Sequence, residues 1–274
     1  MPEMPEVEVI RRSLEGYLRG RTIQKSEVLL PRQVKRPETA EFIKRVQGET
    51  IEEVGRRGKY LIMKLSGDTD LIVHLRMTGR LVFSPEGEVK DSHPRLIFHL
   101  DGGAKLIYGD TRTLGAVYAL KPEEKEIVKG LATMGPEPLT PEFTPEYLAE
   151  IFKKRATKIK SALLNQSLIG GIGNIYADEA LFLARIHPER EAKTLSSPEL
   201  TKLHEAINQV IGEGLADGGT TFRDYQNADG GQGSHQEKLR VYNRKGKSCP
   251  LCGQPIEKIV VGGRGTHFCP RCQK

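Results

Sequence analysis

Two Cys-x-x-Cys pairs near the C-terminus have the spacing of a metal site: Cys249 with Cys252, and Cys269 with Cys272. The residues between the pairs contain an apolar run and a glycine-rich turn, which is typical of a β-hairpin. Four thiolates at this spacing suit a tetrahedral site for one structural Zn²⁺ ion. Two disulfides or a redox pair are the alternatives. These are the only four cysteines, however, and the N-terminal residues do not resemble a signal peptide, so we predict a zinc-binding hairpin.

Pro2 and Glu3 can supply a nucleophile and an acid/base group if the initiator methionine is removed. An α-amino group has a pKa near 8, compared with about 10.4 for lysine, so part of it is unprotonated at neutral pH. A secondary amine that attacks a sugar carbon forms an iminium ion, which is an electron sink for elimination. Glu3 can transfer protons beside it. The alternative is an ordinary helix start, because Pro5 and Glu6 are common in a first helical turn.

Two glycine-rich turns can hold phosphate groups. Arg264 lies between glycines at the predicted hairpin tip, and Asn174 opens a helix directly after Gly170–Gly173. A guanidinium group and the free N–H groups of a helix N-terminus both bind anions. A solvated arginine and a turn required only for packing are the alternatives. A nearby basic cluster also indicates a polyanion partner: Lys153, Lys154, Arg155, Lys158 and Lys160.

Composition is compatible with a nucleic-acid-binding protein. The 274-residue chain has 42 Lys and Arg against 36 Asp and Glu, and its net charge is +6. Such a mild excess of positive charge does not prove this partner. No apolar run approaches the roughly 20 residues of a membrane span. Together with the acidic, proline-rich N-terminus and the zinc-type cysteines, this predicts a cytoplasmic protein without membrane contacts.

The hydrophobic pattern predicts an α+β, multidomain protein. Val7, Ile10, Leu14 and Leu18 indicate an amphipathic helix that ends at Gly20. Alternating runs then predict a two-layer β-sandwich with this helix packed against it. The predicted strands are 22–30, 49–56, 59–65, 70–77, 79–84, 95–101, 104–109 and 115–120.

Further along the chain, prolines interrupt residues 121–145 and helical periodicity returns beyond them. We predict four helices, a glycine-rich loop at 217–236 and a strand at 238–242 before the zinc hairpin. The helices are predicted near 145–156, 159–166, 174–185 and 198–214. The predicted domains are a β-sandwich at 1–121, a linker at 122–145, a helical domain at 146–236 that includes the loop, and a zinc finger at 237–274.

Three motifs in order resemble the bacterial formamidopyrimidine-DNA glycosylase family, and the resemblance covers essentially the whole chain. They are Pro-Glu-Met-Pro-Glu-Val-Glu from Pro2, Gly-Ile-Gly-Asn-Ile-Tyr-Ala-Asp-Glu-Ala-Leu around Asn174, and Gly-Arg-Gly-Thr-His-Phe-Cys-Pro-Arg-Cys around Arg264. The resemblance implies a helix–two-turn–helix middle domain and a monomer that binds damaged duplex DNA across a cleft between its halves. It implies zinc as the cofactor and no nucleotide cofactor.

The resemblance also implies a mechanism. The damaged nucleotide is extruded from the duplex, and Pro2 attacks the anomeric carbon of its deoxyribose to displace the oxidised base. The resulting Schiff base drives β- and then δ-elimination. Glu3 is the implied main acid/base group, and Glu6 is a second carboxylate in the same wall. Lys59 is the third implied catalytic residue and also belongs to the phosphate clamp.

The remaining implied contacts hold the DNA. Lys59, Asn174 and Arg264 match the phosphate clamp, and His74 and Tyr242 are expected to join it. Three further residues are implied to fill the gap left by the extruded base: Met77, Arg112 and Leu114. The family usually has phenylalanine at the third of these positions. Leucine is also an apolar wedge, so we expect weaker stacking and unchanged chemistry. The loop at 217–236 is implied to cover the extruded base, with contacts in the region from Thr220 to Tyr225.

Two other functions remain possible at this stage. One is an endonuclease VIII-like glycosylase for oxidised pyrimidines, which has the same fold and proline chemistry. The other is a non-catalytic zinc-finger protein that only binds damaged DNA. The Pro5-Glu6-Val7-Glu8 run and the Met77/Arg112 pair favour the purine enzyme, and the Pro2-Glu3 terminus argues against a pure binder.

Overall fold

The structure, a computed structural model, describes residues 2–221, 231 and 233–274, except for the side chain of Lys125. The chain divides into two compact units. Unit 1 comprises Met1–Ala132 and Asp217–Ser234, and unit 2 comprises Thr133–Ala216 and His235–Lys274. The predicted linker at 122–145 spans the division after Ala132, and the zinc hairpin belongs to the same unit as the helical segment.

Unit 1 is built on two sheets, as the sequence predicts. Among the described residues, a four-stranded antiparallel sheet has the order β1-β7-β8-β6, and a five-stranded sheet has the order β2-β9-β5-β4-β3. The strands are β1 (Ile23–Val28), β2 (Val34–Arg36), β3 (Ile51–Arg57), β4 (Tyr60–Leu65), β5 (Thr69–His74), β6 (Gly79–Ser84), β7 (Pro94–Leu100), β8 (Lys105–Asp110) and β9 (Ala116–Leu120). The helices are α1 (Met4–Leu18), α2 (Thr39–Val46) and α3 (Lys129–Ala132), and 3₁₀ turns occur at Pro31–Gln33, Asp101–Gly103 and Pro122–Ile127.

Alternation along the strands forms the core of unit 1. On β4, Leu61 and Met63 are buried and lie opposite Val73 and Leu71 of β5. Successive side chains on a strand point to opposite faces, so these residues all face the same layer. The apolar stripe of α1 is completely buried in the same cluster. The predicted packing of the first helix on the sandwich is confirmed.

Helix α2 lies within residues 22–120, where only strands were predicted. Only Phe42 and Val46 of this two-turn helix are buried, and the Phe42 ring lies 6.4 Å from the ring of Phe98. Two apolar residues four apart are too weak a periodic signal to identify a short helix. The short strand β2, which pairs with β9 in parallel, was not predicted either, because three residues are too few to show an alternating pattern.

Unit 2 contains the predicted helices and the zinc hairpin. Its helices are α4 (Pro145–Phe152), α5 (Ile159–Leu163), α6 (Asn174–Leu183) and α7 (Ser197–Ala216), its strands are β10 (Glu257–Val261) and β11 (Arg264–Phe268), and 3₁₀ turns occur at Ala192–Thr194 and His235–Glu237. Thr144 caps α4 by accepting a hydrogen bond from the Tyr147 N–H, and Pro145 occupies the first turn, as predicted. The predicted α+β, multidomain fold class is confirmed.

The predicted strand at 238–242 is wrong. The N–H groups of Arg240, Val241 and Tyr242 do not join a sheet, because all three donate to the carboxylate of Glu179 at 2.8–2.9 Å. Glu179 lies on α6 and is completely buried. A carboxylate that is far away in sequence thus takes the place of a neighbouring strand as the acceptor for this segment.

Helix α7 contains two glycines that give opposite expectations for substitution by alanine. A Cβ at Gly214 would lie 2.4 Å from the Tyr176 hydroxyl, whereas a Cβ at Gly212 would meet nothing within 4 Å. Tyr176 is itself buried and stacks on His235, so its ring has little room to move. We expect Gly214→Ala to lower the free energy of unfolding by about 1–3 kcal/mol. We expect Gly212→Ala to raise it by about 0.5–1 kcal/mol, because alanine is the better helix former. Urea unfolding of the two variants tests this, and equal effects would contradict the packing described here.

Candidate functional site

The N-terminus of α1 places two carboxylates next to Pro2. Glu3 is the N-cap residue, and its N–H donates to Oε2 of Glu6 at 2.8 Å in a capping box. Pro2, Glu3 and Glu6 are all buried. Negative charge is stabilised at a helix N-terminus by the free N–H groups and the helix dipole. Pro2 therefore lies beside a fixed pair of acids, Glu3 and Glu6. The structure thus brings together the three residues that were predicted to form this group.

Glu6 also holds the stem of the 217–236 loop. Its second oxygen, Oε1, accepts a hydrogen bond from the Thr220 N–H at 2.8 Å. The two ends of the loop meet nearby, because Ser234 N–H donates to the Asp217 carbonyl oxygen at 3.0 Å and Gly233 N–H donates to the Thr221 hydroxyl at 2.9 Å. Of the predicted base contacts, Thr220 and Thr221 are described, and residues 222–225 lie outside the described part of the chain.

Lys59 lies in the tight turn between β3 and β4 and is buried. The preceding residue, Gly58, has a φ of +55°, a conformation that favours glycine. Arg56 donates to the Gly58 carbonyl oxygen at 2.9 Å and to the Glu8 carboxylate on α1 at 3.0 Å. These bonds connect the turn that carries Lys59 to the helix that follows Pro2.

Glu8 is the anchor of this connection. Burial raises the pKa of Glu8, but hydrogen bonds from Arg11, Arg56 and Arg12 outweigh it and hold the pKa below its usual value. Glu8 therefore stays charged near neutral pH and keeps its arginine partners. No role was predicted for Glu8 or Arg56. The spacing of Glu8 from Arg11 and Arg12 indicates local pairs on α1 only, whereas its contact with Arg56 of β3 depends on the fold.

His74 ends β5 in a buried position and is neutral. Burial, followed by the charges of Arg76 and Lys59, lowers the pKa of His74 to about 3. Its Nδ1 atom accepts the Arg76 N–H at 3.2 Å, so the ring proton is on Nε2. The ring also packs edge-on against Tyr60, with the centroids 4.4 Å apart. His74 can therefore act as a neutral hydrogen-bond donor through Nε2.

Two loops of unit 1 expose the predicted gap-filling residues. Met77 is 44% exposed and Leu114 is 46% exposed. Arg112 Nη1 lies 3.5 Å from the Met77 sulfur atom, so these two predicted residues are brought together. An exposed apolar side chain beside a cation is the combination expected of a wedge between bases.

In unit 2, the structure brings Asn174 and Arg264 together. Asn174 is the first residue of α6, and its Nδ2 atom donates to the carbonyl oxygen of Gly265 at 2.9 Å. Arg264 is the neighbouring residue on β11 and is exposed. The Asn174 Oδ1 atom is buried and accepts no hydrogen bond from any described residue. Gly262 and Gly263 form the hairpin tip with positive φ values, as the glycine-rich turn predicts.

A buried ion pair fixes this arrangement. Lys160 of α5 pairs with Asp178 of α6, and neither side chain is exposed. The other oxygen of Asp178 accepts the His267 N–H of β11 at 2.9 Å. Tyr242, the remaining predicted residue of this group, packs edge-on against the His267 ring at 5.3 Å. The assignment of Lys160 to a polyanion-binding cluster is therefore wrong, because its ammonium group is buried and neutralised. Lys158 of the same cluster pairs with Glu189.

The four cysteines fit a zinc ion. Their sulfur atoms all lie within 4.8 Å of one another, with Cys249 and Cys272 3.9 Å apart and Cys252 and Cys269 3.5 Å apart. Tetrahedral coordination with Zn–S bonds of about 2.3 Å requires sulfur–sulfur separations of about 3.8 Å. The group packs against Phe182, Val241 and Ile256. The predicted site for one structural Zn²⁺ is confirmed.

The structure thus sorts the predicted residues into two groups. Pro2, Glu3, Glu6, Lys59, His74, Met77, Arg112 and Leu114 belong to unit 1, whereas Asn174, Tyr242, Arg264 and the four cysteines belong to unit 2. Among the described residues, no helix is both long and apolar enough to span a membrane.

Three family models match successive segments of the chain. Residues 1–117 match the family model for the formamidopyrimidine-DNA glycosylase N-terminal domain, residues 134–226 match the H2TH domain of the same enzymes, and residues 246–274 match the zinc finger found in FPG and IleRS. Formamidopyrimidine-DNA glycosylase from Symbiobacterium thermophilum is 48% identical over 274 residues, which cover 100% of this chain and 89% of that protein.

Solved structures match over the full length. A Lactococcus lactis FPG variant in complex with DNA containing Fapy-dG has a TM-score of 0.93 and 38% identity, with 100% of both chains covered. L. lactis Fpg in complex with DNA containing an abasic site has a TM-score of 0.92 and 37% identity at the same coverage. These likenesses extend through both units and the zinc hairpin. The chain therefore belongs to the formamidopyrimidine-DNA glycosylase family.

Proposed function

We propose that this protein excises oxidised purines from duplex DNA as a bifunctional glycosylase and AP lyase, with Pro2 as the nucleophile. The observation that carries this assignment is the position of Pro2 immediately before the capping box of Glu3 and Glu6. Removal of the initiator methionine leaves a secondary amine there, next to two buried carboxylates. This combination of a nucleophile with acid/base groups is what excision and elimination at a sugar require.

The reaction begins when the Pro2 nitrogen attacks C1′ of the damaged nucleotide. The bond from C1′ to the base breaks, and the base leaves with a proton. The sugar ring opens as O4′ takes up a proton, which leaves an iminium ion between Pro2 and C1′. Removal of the C2′ proton sends the electrons of the C2′–H bond toward the iminium, and the 3′ phosphate leaves. A second elimination releases the 5′ phosphate, and water then hydrolyses the iminium to free the Pro2 amine. We assign the proton transfers mainly to Glu3, because it is adjacent to Pro2 at the helix N-terminus.

We assign the DNA backbone contacts to cationic and neutral donors on both units. On unit 1 these are Lys59, in its turn tied to α1, and His74, which donates through Nε2. On unit 2 they are Asn174 and Arg264, held together by the bond from Asn174 to Gly265, with Tyr242 beside them. Charge-assisted hydrogen bonds to phosphates fix the register of a protein on DNA without reading sequence.

We assign the filling of the DNA gap to Met77, Arg112 and Leu114. The two apolar side chains are exposed, and an arginine in this position can donate hydrogen bonds to the unpaired opposite base. Leu114 provides an apolar wedge in place of the aromatic ring usual in the family. We assign the covering of the extruded base to the 217–236 loop. The described part of this loop is its stem, which Glu6 holds through Thr220.

The substrate assignment is to oxidised and ring-opened purines. It is supported by the family and by the L. lactis relative that was solved with DNA containing Fapy-dG. Two alternatives follow from the same residues: oxidised pyrimidines as the preferred substrate, and DNA binding without chemistry. Cleavage of duplexes that carry 8-oxoguanine or thymine glycol distinguishes a purine enzyme from a pyrimidine enzyme, and borohydride trapping distinguishes an enzyme from a pure binder.

We further propose that the protein acts as a monomer in the cytoplasm, where thiolates remain available for zinc.

We expect Pro2→Gly to lose most strand cleavage and most borohydride trapping on 8-oxoguanine duplex. We expect Glu3→Gln to lower the single-turnover rate by at least about 10²-fold, the usual contribution of an acid/base group. Zinc content and thermal unfolding serve as folding controls, and intact mass establishes whether Met1 has been removed. A protein that retains Met1 and still cleaves at the full rate would refute Pro2 as the nucleophile.

We expect Arg264→Ala to weaken DNA binding and to reduce the slope of log K against log salt by about one unit, because one phosphate contact is lost. The matched control is Lys202→Ala, which removes an exposed cation from α7 of the same unit. Binding titrations at several salt concentrations measure both slopes. An unchanged slope in Arg264→Ala, or an equal change in the control, would remove Arg264 from the phosphate contacts.

The neutral state of His74 predicts a pH dependence of stability. The unfolded chain binds a proton at its ordinary pKa of about 6.5, whereas the folded chain binds it only near 3, so stability falls as pH falls below 6.5. Protonation of His74 in the unfolded chain therefore lowers the free energy of unfolding of the wild-type protein by about 2 kcal/mol between pH 7 and pH 5. In His74→Gln we expect this part of the loss to be absent. Urea unfolding of both proteins at the two pH values tests it, and parallel losses would show that His74 titrates normally in the folded state.

A further inference from the structure

A buried hydrogen-bond network lies directly beneath the exposed side chains of Met77 and Leu114. Asp110, the last residue of β8, is completely buried. Its Oδ1 atom accepts the Thr78 hydroxyl at 2.6 Å, and its Oδ2 atom accepts the Gly115 N–H at 2.8 Å. Thr78 directly follows Met77, and Gly115 directly follows Leu114. One carboxylate therefore binds the chain next to both exposed apolar residues.

The Thr78 hydroxyl makes a second bond in the same network. It accepts the N–H of Arg112 at 3.0 Å while it donates to Asp110. A hydroxyl can do both at once, which valine, its nearest isostere, cannot. Thr78 is itself buried, so neither of its bonds is exchanged readily for water. The loop that carries Met77 and the loop that carries Arg112 are thus coupled through one oxygen atom.

Further contacts constrain the loop from Asp110 to Gly115. Thr113 has a φ of +54°, which is unfavourable for a β-branched residue, and its hydroxyl accepts a bond from Arg32 at 2.7 Å. A Cβ at Gly115 would lie 1.9 Å from the Tyr108 hydroxyl, so no side chain fits there. The Tyr108 hydroxyl lies 3.4 Å from Asp110 Oδ2 and 3.3 Å from Gln33 Oε1. The backbone on both sides of Leu114 is therefore constrained before DNA arrives.

Such rigidity matters for a wedge. Insertion of a side chain between bases costs free energy for unstacking, and a loop that had to be ordered at the same time would add an entropy cost. A leucine stacks less favourably than an aromatic ring, so less stacking energy is available here to offset that cost. A wedge of this kind gains most from a loop that is already in place.

We propose that Thr78 and Asp110 are positioning residues that hold Met77, Arg112 and Leu114 in the conformation that inserts into DNA. This inference rests on the proposed function, because it assumes that these three residues fill the gap left by an extruded base. Thr78 and Asp110 act through the loops they connect and need not touch the reacting nucleotide.

The test is a double-mutant cycle with Thr78→Val and Leu114→Ala, measured as single-turnover excision of 8-oxoguanine from duplex DNA. We expect Thr78→Val alone to slow excision about tenfold, because two buried hydrogen bonds are lost. In the Leu114→Ala background we expect the same change to have a clearly smaller effect, since one of the three residues that Thr78 positions is absent. Thr78→Ser retains the hydroxyl and should restore the wild-type rate.

Three further measurements separate positioning from general damage. The control Thr50→Val removes a hydroxyl that pairs with Thr22 in the same unit, and it should leave excision unchanged. Borohydride trapping at a preformed abasic site should change less than about threefold in Thr78→Val, because such a site costs least to extrude. Fluorescence of 2-aminopurine beside the lesion should show reduced unstacking in Thr78→Val and in Asp110→Asn, with normal unstacking in Thr78→Ser.

Additive effects of Thr78→Val and Leu114→Ala would overturn the inference, as would an equal loss of excision in Thr50→Val. Wild-type protein that neither traps at an abasic site nor excises 8-oxoguanine would instead overturn the proposed function. The two failures are therefore distinguishable in one set of experiments.

Discussion

The carboxylate of Glu6 is the contact on which the candidate catalytic region depends most. One oxygen accepts the Glu3 N–H and closes the capping box, and the other accepts the Thr220 N–H at the stem of the 217–236 loop. The first bond determines where α1 begins and hence where Pro2 lies. The second ties the loop stem to the same point. Loss of either donor would remove a hydrogen bond from a buried carboxylate, at a cost of about 1–3 kcal/mol, so the helix start and the loop stem depend on the same side chain.

The same device recurs in both units. Four acidic residues bind irregular segments or neighbouring elements: Glu8, Asp110, Asp178 and Glu179. Two of them, Asp178 and Glu179, accept backbone N–H groups far away in sequence. Segments outside helices and sheets have N–H groups without regular partners, and these must be satisfied when they are buried. Charged acceptors form stronger hydrogen bonds than neutral ones. The loops that carry the candidate site residues are thereby fixed although they contribute few apolar side chains to a core.

The zinc hairpin follows a different principle. Its core is small, with Val241, Ile256 and Phe182 packed around the four cysteines. In such a segment the metal contributes much of the folding free energy. The hairpin presents Arg264, and its register relative to α6 comes from Asp178 and from the bond between Asn174 and Gly265. Metal binding thus stabilises the hairpin, whereas side-chain hydrogen bonds determine where its tip lies.

Spacing along the chain was sufficient to predict the zinc ligands, the sandwich, the first helix and the capped helix at Pro145, because each of these depends on residues that are close in sequence. The Pro2-Glu3 terminus and the glycine-rich turns were visible for the same reason. The helix at Thr39–Val46, the segment bound by Glu179, the burial of Lys160 and the Thr78–Asp110 network were not predictable in this way. Their partners lie on other elements, from 18 to 62 residues away along the chain. Neither an isolated carboxylate nor an isolated lysine reveals whether it will be solvated or buried. Only the packing of the elements decides which buried N–H groups a carboxylate must satisfy, since that choice follows from removing both partners from water.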